Sequence, residues 1–256
     1  MRDDGRQRLR RGARPVVAEG GRKADTGVMP EISIIARIHT DFATKFGVPR
    51  QSGLVDDLEG RIVFEREFRR SDALRGIDRF SHLWLIWQFS ETLRTNWSPT
   101  VRPPRLGGNA RLGVFATRSP FRPNGLALSS VRLQRVEWDT PEGAVLVVRG
   151  ADLMDGTPIF DIKPYLPYTD IHPDATGGFT DQVERGLLEV AIPDGLLAKV
   201  PEEKRKALAG VLAQDPRPSY QHDPCRLYGM EFAGMQVRFR VDGNRLEVVE
   251  IAQSIS

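Results

Sequence analysis

Between Thr92 and Val136 the chain has no acidic residue but carries eight arginines: Arg94, Arg102, Arg105, Arg111, Arg118, Arg122, Arg132 and Arg135. The choice of arginine matters, because a planar guanidinium forks onto phosphate or carboxylate and stacks on bases in ways a lysine ammonium does not. Several of these residues sit among Pro and Gly, in Arg102-Pro-Pro-Arg-Leu-Gly-Gly-Asn and in Arg118-Ser-Pro-Phe-Arg-Pro-Asn124. Loops of that composition are held in shape. Arg132 and Arg135 fall in a strand-like run, where a solvent face accounts for them. Arg118 and Arg122, together with Asn124 and two prolines within seven residues, point to an anion or a base.

A second candidate begins at Asp155-Gly-Thr-Pro158, a tight turn whose carboxylate and main-chain groups suit an adenine edge or a ribose. It leads into Ile159-Phe-Asp-Ile-Lys-Pro-Tyr165, where Asp161 and Lys163 share one face of a strand, as an ion pair or as part of a site. A third candidate, Pro49-Arg50-Gln51, lies in a polar loop from Thr40 to Gly53 that carries Gly47, Pro49 and Gly53. Other chemistries lack their motifs. There is no Gly-x-Gly-x-x-Gly after the first strand, no phosphate-binding loop, no His-Glu-x-x-His and no Gly-x-Ser-x-Gly. The four histidines, His39, His82, His172 and His222, have no metal-site spacing, and the single Cys225 has no internal partner. No metal is expected, and the lone cysteine fits a reducing, cytoplasmic setting.

Positioning these groups falls mainly to strands. Glu31 to Ile38, Arg61 to Phe64, His82 to Phe89, Val114 to Ala116, Leu126 to Val136 and Ala144 to Val148 read as β segments bounded by Gly, Pro or Asn. Ser71 to Ile77 reads as a short helical turn with Ser71 as N-cap. A clear amphipathic helix is expected only at Pro201 to Ala213, where Ala207, Leu208, Val211 and Leu212 share a face. Gln236 to Ile251 is expected to be a hairpin around Asp242-Gly243-Asn244. Without strand–helix alternation the residues predict a mainly β chain, an antiparallel barrel or sandwich, with a small α+β unit after it. The predicted division is a basic tail over 1–30, a β domain over 31–175 and the α+β domain over 176–256.

The basic pI near 9.2 belongs to the tail. Residues 1–30 hold eight Arg/Lys against four acids, a net +4, so with a chain total of +3 the remainder carries −1. The tail has no apolar core of a secretory signal and too little apolar surface to fold alone. Disorder, RNA affinity and a true start at Met29 all account for it. No apolar run approaches the roughly 20 residues a membrane helix needs, so a protein without membrane association is expected.

Ordered motifs along the chain resemble the TsaA-like family, the tRNA methyltransferases also called TrmO. They are Phe46-Gly-Val-Pro-Arg-Gln, Phe80-Ser-His-Leu-Trp, Val101-Arg-Pro-Pro-Arg-Leu-Gly-Gly-Asn-Ala-Arg, Gly113-Val-Phe-Ala-Thr-Arg-Ser, Phe121-Arg-Pro-Asn, Asp155-Gly-Thr-Pro, Asp161-Ile-Lys-Pro-Tyr and Ala213-Gln-Asp-Pro-Arg-Pro. The resemblance implies a single-sheeted β-barrel rather than a Rossmann fold, working as a homodimer. It implies S-adenosylmethionine as cofactor and, as substrate, tRNA bearing threonylcarbamoyl-adenosine beside the anticodon. Carried over residue by residue, the cofactor contacts are Pro49, Arg50, Gln51, Ser90, Glu91, Arg118, Leu128, Asp155, Gly156, Thr157 and Pro158. Ser90-Glu91 and Asn124-Gly-Leu-Ala127 depart from the bacterial family's His-Gln and Asn-Pro-Ile-Gly.

Methyl transfer to an acylated nitrogen needs alignment and an acceptor for its proton, and Asn124 and Asp161 are the candidates for orienting or deprotonating it. Arg105, Arg122, Lys163 and Tyr165 are expected to face RNA. Arg217 and Tyr220 either add to that surface or serve the cap made by Asp215-Pro-Arg-Pro. The competing functions are a non-catalytic regulatory barrel holding a nucleotide-like ligand, and a plain RNA-binding barrel. The retained Pro49-Arg-Gln and Asp155-Gly-Thr-Pro weigh against the latter.

Overall fold

The computed structural model describes residues 31–92, 97–103, 106, 110–182, 186–218, 221 and 223–254. The readings made for the tail, Arg94, Arg105, Tyr220 and His222 lie outside the described residues. Strands β1 (Ala36–His39), β2 (Glu59–Phe64), β3 (His82–Gln88), β4 (Thr100–Val101), β5 (Leu112–Gly113), β6 (Leu126–Glu137), β7 (Val145–Arg149) and β8 (Thr157–Pro164) precede a short helix α1 (Pro167–Asp170). Then come β9 (Glu189–Ala191), α2 (Asp194–Leu197), α3 (Glu202–Ala213), β10 (Tyr228–Phe232), β11 (Met235–Asp242) and β12 (Arg245–Gln253).

Six strands close into a barrel in the order β1-β2-β7-β6-β3-β8, and every neighbouring pair is antiparallel. Closure removes the free edges that an open sheet would expose. Alternation drives it: in β3, Leu83, Leu85 and Trp87 turn inward while their neighbours are partly exposed. In β2 the inward positions are Gly60, Ile62 and Phe64. Gly60 answers a steric demand, since a Cβ there would lie 2.9 Å from Ile38 Cδ1. The barrel is therefore the expected mainly β, single-sheeted fold.

A second core gathers Ala207, Leu208, Val211 and Leu212 of α3 against the sheet β10-β11-β12-β9, where β9 alone runs parallel to its neighbour. Phe42, Val55 and Leu58 from the β1–β2 connection belong to this core and not to the barrel's. Burying a side chain of that size stabilises by about 1.5–3 kcal/mol, so the connection is held by packing rather than left mobile. From Ser33 onward the described residues form one compact unit.

Three local expectations change. Val114 to Ala116 is a 3-10 turn and not a strand, because β5 ends at Gly113 and Thr117 N–H returns to the Val114 carbonyl at 3.2 Å. Phe115 is accordingly 73% exposed. Strand β1 begins at Ala36 rather than Glu31, although Ile35 still bonds both Ile159 and Glu65 through its main chain. Ser71 is the first residue of its 3-10 turn, the cap position is Arg70, and no side chain caps it. The expected hairpin is β11–β12, with Gly243 at φ 54° and a register shift at Arg238/Phe239. Among the described residues no helix is long and apolar enough to cross a membrane.

Candidate active site

One end of the barrel opens into a cleft of about 800 Å³, within the range of about 300–1,000 Å³ typical of small-molecule sites. Its floor is the β3–β6 pair, where Ile86 faces Leu128 and Trp87 faces Ala127 in register. Trp87 and Phe89 meet edge to face with centroids 4.6 Å apart, giving one wall an aromatic surface. Three loops form the rim: Val48 to Gln51, the turn at Ser90-Glu91, and the 117–122 segment with Arg118 and Arg122. Asp152, Met154 and Thr157 complete the enclosure on the approach to β8.

The rim holds itself in place. Arg118 Nη1 donates to Gln51 Oε1, joining two loops far apart in sequence. Arg122 Nη1 donates to the Thr117 carbonyl at 3.0 Å and the Ser119 carbonyl at 3.4 Å, which clamps its own loop. Arg50 Nη2 donates to the Arg217 carbonyl at 3.5 Å, so the C-terminal region reaches the cleft. Gly125, at φ 58°, lets the turn after Asn124 present its carbonyl to Phe89 N–H at 3.0 Å. A proline ring cannot take that φ, so the departure at this position belongs to a differently shaped turn.

Below the rim lies a polar chain that sequence reasoning missed. Trp87 Nε1 donates to Ser129 Oγ at 2.9 Å, and Ser129 Oγ donates to Asp152 Oδ1 at 2.6 Å. Burial raises the Asp152 carboxyl above the ordinary Asp value, against the Ser129 bond, main-chain donation from Asp152 and Ser52, and the Arg118 charge, which all lower it. One signal was available. Asp152 is a single acid between Ala151 and Leu153, both of which are buried.

Of the cofactor contacts carried over from the resemblance, Pro49, Arg50, Gln51, Ser90, Glu91, Arg118, Leu128 and Thr157 all line this cleft. Asp155, Gly156 and Pro158 do not line it. Asp155 Oδ1 accepts from Thr40 N–H at 3.0 Å and meets His39 Nδ1 at 3.1 Å, and the Gly156 carbonyl accepts from Arg37 at 3.0 Å. Their work in this geometry is to pin the 155–158 turn to β1, with Pro158 buried opposite Arg37 in register.

Neither Asn124 nor Asp161 is among the lining residues. Asn124 is exposed in a turn, and Asp161 pairs with Lys163 at 2.9 Å. Tyr165 packs against Trp84, with centroids 5.5 Å apart. Arg217 is 9% exposed and forks onto Asp215 at 2.8 and 2.9 Å, so its guanidinium is committed inside the fold. That pairing and partial burial dominate its environment, and its carboxylate partner raises its pKa. Among the described residues there is no cluster of three or more His, Cys, Asp or Glu able to hold a metal.

A closed antiparallel barrel with a nucleoside-sized cleft at its end, ringed by guanidinium groups and without a glycine-rich phosphate turn, defines a class apart from the doubly wound nucleotide-binding folds. The chain belongs to the TrmO family: residues 37–171 match the tRNA-methyltransferase O N-terminal domain, and residues 186–254 match the TrmO C-terminal domain. It is 41% identical over 229 residues to the tRNA (adenine(37)-N6)-methyltransferase of Escherichia coli K12, covering 84% of this chain and 94% of that protein. A protein of the same name from Eikenella corrodens is 49% identical over 164 residues, 64% of this chain and 92% of its own. A crystal structure of TrmO from Pseudomonas aeruginosa superposes with a TM-score of 0.72 at 31% identity, covering 89% of this chain and 98% of that one.

Proposed function

We propose that the protein methylates N6 of adenosine 37 in tRNA, next to the anticodon, with S-adenosylmethionine as donor and threonylcarbamoyl-adenosine as the modified base. The observation that carries this reading is the convergence of Pro49–Gln51, Arg118, Leu128 and Thr157 on one cleft, in a chain whose relatives are named for that reaction.

The cleft fits a methyl donor in both volume and chemistry. Its apolar floor and the Trp87–Phe89 pair suit a purine or a thioether chain, and Arg50, Gln51 and Arg118 offer donors to a carboxylate. When bound, the donor supplies a methyl carbon on a positively charged sulfur. The protein's share is alignment. The Arg118–Gln51 bond fixes two rim loops before substrate arrives, and pre-positioning of this kind can supply several kcal/mol of a displacement barrier. Arg122, with Arg111 and Arg102 on the adjoining segment, supplies positive charge where an anticodon stem would approach. A homodimer in the cytoplasm completes the proposed setting.

The test is mass spectrometry of nucleosides from tRNA treated with protein and isotopically labelled donor. The expected result is one labelled methyl on threonylcarbamoyl-adenosine and none on tRNA lacking that group. Label on any other nucleoside overturns the substrate. Donor binding without transfer to any tRNA would establish the regulatory alternative instead.

A further inference from the structure

Asp152 is the carboxylate best placed to take part in chemistry at the cleft. It is the half-buried end of the chain from Trp87 through Ser129, and it lines the cavity together with Arg118, Leu128 and Thr157. The orientation of Ser129 is settled by its neighbours: its oxygen accepts the Trp87 N–H, so its own proton points at Asp152. The carboxylate is thereby held by donors from β6, from its own main chain and from Ser52, and the Arg118 charge acts on it. Lys45, Arg50, Glu91 and Arg122 are the other charged groups lining the cleft. An acid fixed by three donors in a largely apolar cleft, with its proton affinity raised by burial, has the character of a proton acceptor.

We propose that Asp152, oriented by Ser129 and Trp87, receives the proton released by the target nitrogen during methyl transfer. This rests on the methyltransferase reading above. In that step the nitrogen forms its bond to the methyl carbon, the carbon–sulfur electron pair stays on sulfur, and the N–H proton passes to the Asp152 carboxylate. Asp161 and Asn124, the candidates offered by sequence, lie outside the lining, so this role passes to a residue three positions before the Asp155 turn.

The experiment combines methylation of threonylcarbamoyl-bearing tRNA with donor binding, read by the fluorescence of Trp87 above that of a Trp87→Phe control. Asp152→Asn is expected to bind S-adenosylmethionine within about threefold of the parent while its single-turnover rate falls roughly 100-fold or more, in the range removal of a general base produces. The parent should show an acid limb in its pH–rate profile, retained by Asp152→Glu. In Ser129→Ala the limb should move to higher pH, since losing that hydrogen bond removes an interaction that lowers the Asp152 pKa. The last shift is not expected of a purely structural network, and it can be read even if Asp152→Asn folds poorly. A rate for Asp152→Asn within threefold of the parent, or an acid limb indifferent to Ser129→Ala, would overturn the proposal. So would a donor affinity falling in proportion to the rate, which makes Asp152 a binding residue. A parent that binds donor but methylates no tRNA would sink the functional reading itself.

Discussion

Arg118 illustrates how much one side chain can organise. Its bond to Gln51 joins the rim loops, and its charge also reaches Asp152 below. Replacement by alanine removes a charge-assisted hydrogen bond, an interaction of about 1.5–3 kcal/mol. The expected outcome is donor affinity about 10- to 100-fold weaker by calorimetry, with Arg118→Lys rescuing poorly because one ammonium cannot fork. Asp152 makes a prediction of the opposite kind, on stability. Its folded pKa is raised, so the folded state binds protons more tightly than the unfolded chain and loses stability as pH climbs from the ordinary value of 3.8 through the raised one. Asp152→Asn does not titrate. Parent and variant melting temperatures should therefore diverge across that window, with the variant gaining relative to the parent as pH rises. Parallel curves would show that burial of this carboxylate has no such cost.

At the scale of elements, the β1–β2 connection is the unexpected part. It carries Pro49–Gln51 to the cleft, yet it is anchored through Phe42, Val55 and Leu58 in the core under α3. The fit is close: a Cβ on Gly210 of α3 would stand 2.7 Å from Val55 Cγ1. A cavity in that core should therefore be felt at the cleft. Leu208→Ala is expected to cost about 2–5 kcal/mol of stability in denaturant unfolding. It should also weaken donor binding measurably, although Leu208 lines no part of the cleft. A matched cavity at Leu146, which belongs to the barrel core and not to the core that anchors this connection, should cost similar stability with a smaller loss of donor affinity. Equal losses from both would mean the connection transmits nothing particular.

For the whole molecule, charge and its location have to be kept apart. A pI near 9.2 suggests a basic protein, yet residues beyond the tail sum to −1 and the acid-free arginine segment borders the cleft. Affinity for tRNA should therefore fall at least tenfold between about 50 and 200 mM salt, as phosphate contacts demand. Donor affinity, set inside the cleft, should change less than twofold over the same range. A salt-insensitive tRNA complex would contradict an arginine-driven interface.

The sequence by itself determined the strand-rich character, the hairpin at β11–β12, helix α3 and the loops that carry the rim. Each is written in local signals: alternation of period two, a helical stripe, and Gly, Pro and Asn at the turns. Of the eleven cofactor contacts it named, eight line the cleft, and they were found through ordered motifs rather than through any visible geometry. It overextended β1 and turned Val114–Ala116 into a strand, because β propensity is settled by partners and β5 pairs with β4 over only two residues. Only the tertiary structure decided that six strands close, that Gln51 meets Arg118, and that Asp161 spends itself on Lys163 while Asp152 lies at the cleft. Which carboxylate faces the cleft and which faces a lysine depends on closure of the barrel, a long-range pairing that no local spacing records. The arginine-rich segment was therefore legible as chemistry from the sequence, but the acid beneath it was marked only by its apolar neighbours Ala151 and Leu153.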